Sequence, residues 1–310
     1  MKVIFWGTPE FSLPALRALG AEGHDVVAVV TQPDRPAGRG RAVTPSPVKV
    51  EAQAEMIPVL QPEKARGDEF IAQLRAFDAD ISVVVAYGQI LKPEVLAVPR
   101  LGSVNIHGSL LPALRGAAPV QWAIINGLET TGVTIMQMDA GLDSGPMLLR
   151  VEEPIEADES ACELADRLAE IGAEALVEAL MLIEANGLVP EPQDHALATY
   201  APKLDRETAK LNWSLPAEEV SRWIRGLDDV PGAWSPLDER GPVKLFRPRV
   251  EDARSGEPGT VLDAGDGGVV IACGSGALRI AEVQPTGKRR MAAGEWVRGR
   301  GVAVGDRFGG

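Results

Sequence analysis

Apolar positions along the first half of the chain come in short unbroken runs, separated by stretches that repeat with helical spacing. Lys2-Val3-Ile4-Phe5-Trp6, Asp25 to Val30 and Ile81 to Ala86 show almost no alternation, the mark of strands buried on both faces of a parallel sheet. Pro58-Val-Leu, Val104-Asn-Ile-His and Met147 to Val151 read as further strands, and Val133 to Asp139 alternates and then breaks at Ala140-Gly141. Between them, helical periodicity runs to Leu19, over Pro47 to Glu55, over residues 66–77 and over Pro119 to Asn126. Repeated strand, turn and helix predicts an α/β domain with a Rossmann-like, doubly wound parallel sheet. Ser160 to Ala185 follows as a long amphipathic helix, with Leu164, Leu168, Ile171, Ala175 and Leu176 as its apolar stripe.

The rhythm then changes. Residues 190–204 hold three prolines and no periodicity, which predicts a linker. Beyond it, a helix over Ala217–Gly226 is followed by short strands at Val243–Val250, Gly259–Leu262, Val269–Cys273 and Ala277–Gln284, parted by Gly and Asp turns. Many short strands and one helix in so few residues predict a smaller OB-like β-barrel over residues 205–310. The expected organisation is therefore a first domain over 1–189, a linker, and the barrel.

Composition narrows the class. With 310 residues, 45% hydrophobic and 24% charged, the chain is that of an ordinary globular protein. Its two cysteines, Cys162 and Cys273, lie far apart with no CxxC, which disfavours a disulfide framework or a zinc knuckle and suits a reducing cytoplasm. No leader pattern precedes the first strand, and no apolar stretch approaches the roughly 18 residues of a membrane helix. The net charge of −13 argues against a generic nucleic-acid binder. Its distribution says more. Residues 1–204 carry 15 Lys+Arg against 28 Asp+Glu, a balance of −13, whereas residues 205–310 carry 16 of each.

The chemistry centres on Val104 to Gly116. Strand alternation puts Asn105 and His107 on one face, Gly108 ends the strand, and Ser109-Leu-Leu-Pro turns the chain over them. Gly141-Leu-Asp143-Ser-Gly offers a carboxylate. An amide, an imidazole and a carboxylate together can bind a carbonyl oxygen and move a proton without a metal or a covalent nucleophile. The plain alternatives are a structural strand histidine, ordinary Asp turn chemistry at Asp143 and a hydroxyl at Ser109 that merely closes its turn. Arg115 fits either a carboxylate ligand or a helix cap. His24 and His195 read as inert surface residues. Gly7 stands without a GxGxxG, so no nicotinamide or flavin site is expected, and neither GxSxG nor a zinc deaminase signature is present.

Thr31 to Arg41 is a loop with two prolines, two glycines and Arg35, Arg39 and Arg41, a cluster suited to phosphate. Its composition offers little apolar surface, so no fixed structure is expected there without a partner. In the second domain, Lys244, Arg247, Arg249 and Arg254, with Lys288, Arg289 and Arg290, read as a solvated charged face or as a surface that tracks a nucleic-acid backbone.

These residues carry a resemblance. Gly-Thr-Pro-Glu-Phe (7–11), Thr-Gln-Pro-Asp-Arg-Pro-Ala-Gly-Arg-Gly (31–40), Val-Val-Ala-Tyr-Gly (84–88), Asn-Ile-His-Gly-Ser-Leu-Leu-Pro (105–112), Arg-Gly-Ala-Ala-Pro (115–119) and Thr-Gly-Val-Thr-Ile-Met-Gln-Met-Asp-Ala-Gly-Leu-Asp-Ser-Gly (131–145) resemble the methionyl-tRNA formyltransferase family over nearly the whole chain. The catalytic segments are common to formyltransferases that use 10-formyltetrahydrofolate; the arginine loop and the second domain narrow the resemblance. It implies formyl transfer to the α-amino group of methionine on initiator tRNA, with Asn105, His107 and Asp143 as the catalytic trio. It also implies folate contacts at Ser109, Leu110, Leu111, Pro112, Tyr87 and Gly88. Acceptor-stem contacts are implied at Arg35, Arg39 and Arg41, with the barrel binding tRNA through Lys244, Arg247, Lys288, Arg289 and Arg290. A monomeric cytoplasmic enzyme without a metal is expected. The Arg41-Ala-Val sequence and the 227–234 segment depart from the family pattern, and neither touches the trio. A sugar-amine formyltransferase is the nearest rival, and a tRNA-binding module with a decayed site is the rival of another class.

Overall fold

The structure, a computed structural model, describes residues 1–37, 42–251 and 253–309. They fold into two compact units. The first comprises Met1–Pro119, Thr131–Glu153 and Ala165–Ala201; the second comprises Val120–Thr130, Pro154–Leu164 and Pro202–Gly310.

The first unit is built on seven strands: β1 (Lys2–Gly7), β2 (Asp25–Val30), β5 (Val59–Leu60), β6 (Ile81–Val85), β7 (Ser103–His107), β9 (Thr130–Gln137) and β10 (Met147–Pro154). Two short strands, β3 (Arg35–Ala37) and β4 (Ala42–Thr44), form a separate hairpin ladder, and β8 (Arg115–Gly116) pairs in parallel with β11 (Tyr200–Ala201). The large sheet has the order β10-β9-β7-β6-β1-β2-β5. Pairing is parallel from β5 to β7 and turns antiparallel between β7 and β9.

The all-apolar runs occupy the central strands, as two-sided burial demands: Val3, Ile4, Phe5, Ile81, Val83 and Val85 are fully buried. Helices α1 (Leu13–Ala21), α2 (Pro47–Ala54), α3 (Asp68–Ala76), α5 (Pro119–Ile125) and α6 (Ala161–Glu184) fall close to the expected positions, and a short α4 (Pro93–Leu96) was not expected. Their starts follow local rules. Ser46 caps α2 by accepting from Lys49 N–H, with Pro47 at the first position. Ser160 and Glu163 form a reciprocal capping box at α6, the Ser160 N–H and hydroxyl both donating to the Glu163 carboxylate. Gly172 lets α6 approach the sheet, because a Cβ there would stand 2.8 Å from Ile106.

The second unit is a six-stranded antiparallel sheet of β12 (Trp234–Pro236), β13 (Pro242–Glu251), β14 (Val261–Gly265), β15 (Gly268–Ala272), β16 (Ala277–Pro285) and β17 (Met291–Ala292), with α7 (Ala217–Gly226) and α8 (Ala293–Arg298). Inward positions Val243, Leu245, Val269, Ile271, Leu278, Ile280 and Val283 make its core with Trp213, Ile224 and Phe308. The order β12-β13-β16-β15-β14 leaves two edges, and the C-terminal residues reach both. Phe308 N–H donates to Gly259, Gly309 N–H to Pro236, and the 261 N–H to Asp306. One strap thus engages the sheet's two ends, the closed arrangement expected of a small barrel.

Candidate active site

Asn105 and His107 project from the C-terminal half of β7 on one face. The Asn105 amide donates to the carbonyl of Val84 on the neighbouring β6 at 3.0 Å. An amide nitrogen carries two protons, so its second N–H remains to serve a ligand. His107 is 5% exposed, and its Nε2 lies 3.0 Å from the Leu114 carbonyl. A carbonyl only accepts, so Nε2 bears a proton and the ring's other nitrogen is left for the site. That nitrogen, Nδ1, faces the Asp143 carboxylate at 3.8 Å, beyond direct hydrogen-bond range. Asp143 sits at φ +49°, the left-handed conformation of its glycine-flanked turn, and its Oδ2 accepts from Gly116 N–H at 2.8 Å. The turn conformation and a carboxylate that faces His107 thus coexist at this residue.

The turn over the trio is held from below. Thr134 on β9, fully buried, donates to the Ser109 carbonyl at 2.7 Å and accepts from Leu111 N–H at 3.1 Å. Ser109's hydroxyl donates to the Ala113 carbonyl at 2.6 Å, closing its turn, and the Leu111–Pro112 peptide is cis. Leu111 is buried against Met136 and Met147, while Leu110 and Pro112 are partly exposed. Gly116 is required where it stands: φ is +120°, and a Cβ would lie 2.7 Å from the Ala201 carbonyl.

The Tyr87 side chain is buried. Its ring lies in the core against Trp6, centroids 5.2 Å apart, and its hydroxyl is buried without a partner. Burial pushes the phenol up to about 12. The residue's polar service comes from its main chain: the carbonyl accepts from Thr8 at 3.0 Å and from Gln32 at 3.1 Å. Together with Gly88, Gln89, Arg35 and Ser46, Thr8 and Gln32 line a cavity of about 710 Å³ at the C-terminal ends of β1, β2 and β6. That is where ligands sit in open α/β sheets. Asp34 is fixed beside it by Lys49 (2.6 Å) and Gln61 (2.7 Å), hydrogen bonds that hold its carboxyl below the usual range.

Arg39 and Arg41 lie outside the described residues. The arms of their loop, β3 and β4, pair from Arg35 with Thr44 to Ala37 with Ala42. An antiparallel ladder replaces the unstructured stretch that composition predicts for those arms. Among the barrel cations, Arg247 donates to Glu163 at 2.8 Å. Arg290 pairs with the buried Asp228 at 2.8 Å and with Glu282 at 2.6 Å, and it lies 3.9 Å over the Phe246 ring. These two tie the second unit together. Lys244 is half-buried opposite Gln284, and Lys288 and Arg289 are exposed on the hairpin beyond β16.

Sequence reasoning missed the support behind Asp143. Arg115 is buried and donates to Gln193, which in turn donates to the Asp143 loop. Arg115 is neither a helix cap nor an exposed carboxylate ligand. His195, read as inert, contacts the Arg115 guanidinium at 3.1 Å. The 190–204 stretch is correspondingly not a bare linker, since Glu191, Thr199 and Ala201 hydrogen-bond into the first unit. An amide among prolines has no periodicity to betray it.

An amide, a buried imidazole and a carboxylate thus gather at the end of the first unit's parallel strands, and an antiparallel sheet forms the second unit. Two family descriptions match in register: "Formyl transferase" over residues 1–180 and "Formyl transferase, C-terminal domain" over residues 203–301. The chain is 49% identical to the methionyl-tRNA formyltransferase of Citrifermentans bemidjiense over 96% of this chain and 93% of that protein. It is 49% identical to that of Thiobacillus denitrificans over 100% of both. The chain belongs to the methionyl-tRNA formyltransferase family. Its fold is shared with HypX from Aquifex aeolicus in complex with tetrahydrofolic acid (TM-score 0.69, 21% identity), covering 96% of this chain and about half, 47%, of that one. A sugar 3N-formyl transferase, WlaRD, also shares it (TM-score 0.66, 18% identity, 93% of this chain and 99% of that one).

Proposed function

We propose that this chain moves the formyl group of 10-formyltetrahydrofolate to the α-amino group of methionine on initiator methionyl-tRNA, with Asn105, His107 and Asp143 as the residues that do it. The arrangement of His107 carries the reading. Its Nε2–H is committed to Leu114, so Nδ1 is the ring atom that faces the site and the carboxylate. The folate supplies an amide-like carbonyl. Asn105 Nδ2–H and the His107 ring, protonated or neutral, face the oxygen that gains charge when the amine attacks, and loss of one hydrogen-bond donor to such an oxygen costs about 10²–10³ in rate. Asp143 is the base that takes the amine proton, directly or through water, and as the carbon–N10 bond breaks that proton passes to N10, which leaves as tetrahydrofolate.

The residues suit the folate. The 109–112 turn presents partly exposed Leu110 and Pro112 beside the trio, and Thr134 fixes its main chain. At positions 87 and 88 the contact we assign is to main chain. For the tRNA we assign phosphate contacts to Arg35, Arg39 and Arg41 and to Lys244, Lys288 and Arg289 on the barrel of residues 205–310, while Arg247 and Arg290 hold the barrel itself. We assign the chain to the cytoplasm as a monomer; no described helix is long and apolar enough to cross a membrane.

Formyl transfer from 10-formyltetrahydrofolate to charged initiator tRNA, measured beside Arg39→Ala and His107→Ala, tests this. The expected result is a raised KM for tRNA in the first variant and a lowered kcat in the second. Folate binding without transfer to tRNA would point to a sugar amine as acceptor, and no folate binding would overturn the reading.

A further inference from the structure

Gln193 is 6% exposed, and all the hydrogen-bonding capacity of its carboxamide is used. Its Nε2 donates to the carbonyls of Asp143 at 2.9 Å and Gly145 at 2.7 Å. Its Oε1 accepts from Arg115 Nε at 3.1 Å and Nη2 at 2.6 Å. Arg115 is anchored in turn, its N–H donating to Thr199 at 2.8 Å. The next residue, Gly116, gives its N–H to the Asp143 carboxylate at 2.8 Å. The main chain of the Asp143 turn and its carboxylate are therefore both held by the Arg115–Gly116 strand, one through Gln193 and the other directly.

Asp143 needs such holding. An aspartate at φ +49° occupies a conformation that persists where its surroundings dictate it. No other side chain donates to the carbonyls of residues 143 or 145 among the described residues. If the turn relaxed, the carboxylate would lose its orientation toward Nδ1 of His107.

We infer that Gln193, oriented by Arg115, is a positioning residue for formyl transfer that fixes the Asp143 turn so that its carboxylate faces the His107 ring. The inference rests on the role assigned to Asp143 above. It makes Arg115 and Gln193 one unit with the Asp143 turn, although some 50 residues separate Gln193 from the turn.

The test measures kcat and both KM values for Gln193→Glu and Gln193→Ala, each alone and combined with Asp143→Asn, with thermal melting of every variant. Gln193→Glu keeps the acceptor for Arg115 and loses both donors to the turn, and it carries the comparison if Gln193→Ala does not fold. Expected are a fall in kcat of about 10–100-fold with each KM within about twofold, and a further loss below about twofold once Asp143 is already Asn. An equal fold-loss in both backgrounds, or a loss confined to KM and melting temperature, would overturn the clamp while leaving Asp143 in place. Full activity of Asp143→Asn by itself would instead remove the underlying role of Asp143, and the clamp with it.

Discussion

Nδ1 of His107 and Oδ2 of Asp143 stand 3.8 Å apart, and main chain holds both groups, the carboxylate through that same oxygen. The ring is anchored through Nε2 to the Leu114 carbonyl and the carboxylate by Gly116 N–H, at 3.0 and 2.8 Å. Two groups pinned by residues 114 and 116 of one short segment cannot drift independently. The segment 114–116 thus anchors His107 and Asp143 together, and a substitution in it is expected to disturb both.

Gly116→Ala is the most direct probe of that segment. The new Cβ meets the Ala201 carbonyl at 2.7 Å in a backbone conformation at φ +120° that an L side chain rarely adopts. Strain of this kind costs of order 1–3 kcal/mol. A lowered melting temperature is expected together with a loss of kcat larger than any change in folate affinity. Unchanged melting and turnover would show that the strand can shift without disturbing Asp143.

Thr134→Val removes one hydroxyl and leaves two buried main-chain groups, the Ser109 carbonyl and Leu111 N–H, without their partner. An unsatisfied buried polar group costs about 1–3 kcal/mol. Because both groups belong to the 109–112 turn, the expected signature is a raised KM for the folate beside a lowered melting temperature, with KM for tRNA nearly unchanged. Steady-state kinetics against each substrate separates the two.

Tyr87→Phe runs the other way. The phenol oxygen is buried with no hydrogen-bond partner, so its removal abolishes a desolvation cost without opening a cavity. Stability is expected to hold or to rise by up to about 1 kcal/mol, and activity to be unchanged, since the carbonyl that Thr8 and Gln32 bind stays in place. A marked loss of folate binding would restore the side chain to the site.

Acid should loosen the start of α6. The Ser160 hydroxyl, then the Ser160 N–H and Arg247, hold Glu163 at about 2 against an ordinary 4.5, and burial opposes them. A carboxyl depressed in the folded state stabilises fully above its unfolded value and loses that contribution as pH falls through the folded one. The stability that Glu163→Gln removes should therefore be constant near neutrality and shrink from about pH 4.5 towards 2. Melting curves of both proteins across that range check it; a gap that widens on acidification contradicts the pairing. Glu163 is half-exposed, so the effect is a modest one.

Two elements show what the sequence could and could not disclose. Helix α6 was written in its residues: Ser160 and Glu163 at capping-box spacing, an apolar stripe with helical period, and an observed span of Ala161–Glu184 against an expected Ser160–Ala185. The same holds for the central strands and for Asn105 and His107, because periodicity and strand alternation are local properties of consecutive residues. Asp143 was legible as a carboxylate that motif and resemblance group with Asn105 and His107; its distance from His107 is set only by the folded chain.

The chain's order of residues determined its α/β and barrel units and its family, since burial patterns and motif spacings are carried by neighbours along the chain. Tertiary structure alone decided that Gln193 and Arg115 hold the Asp143 turn, that Arg247 and Arg290 are ion-paired within the barrel unit, and that Tyr87 turns its hydroxyl into the core. The reason is physical. Partners 50 to 84 positions apart are chosen by three-dimensional packing and by the need to satisfy buried polar groups, and no period along the chain encodes that choice.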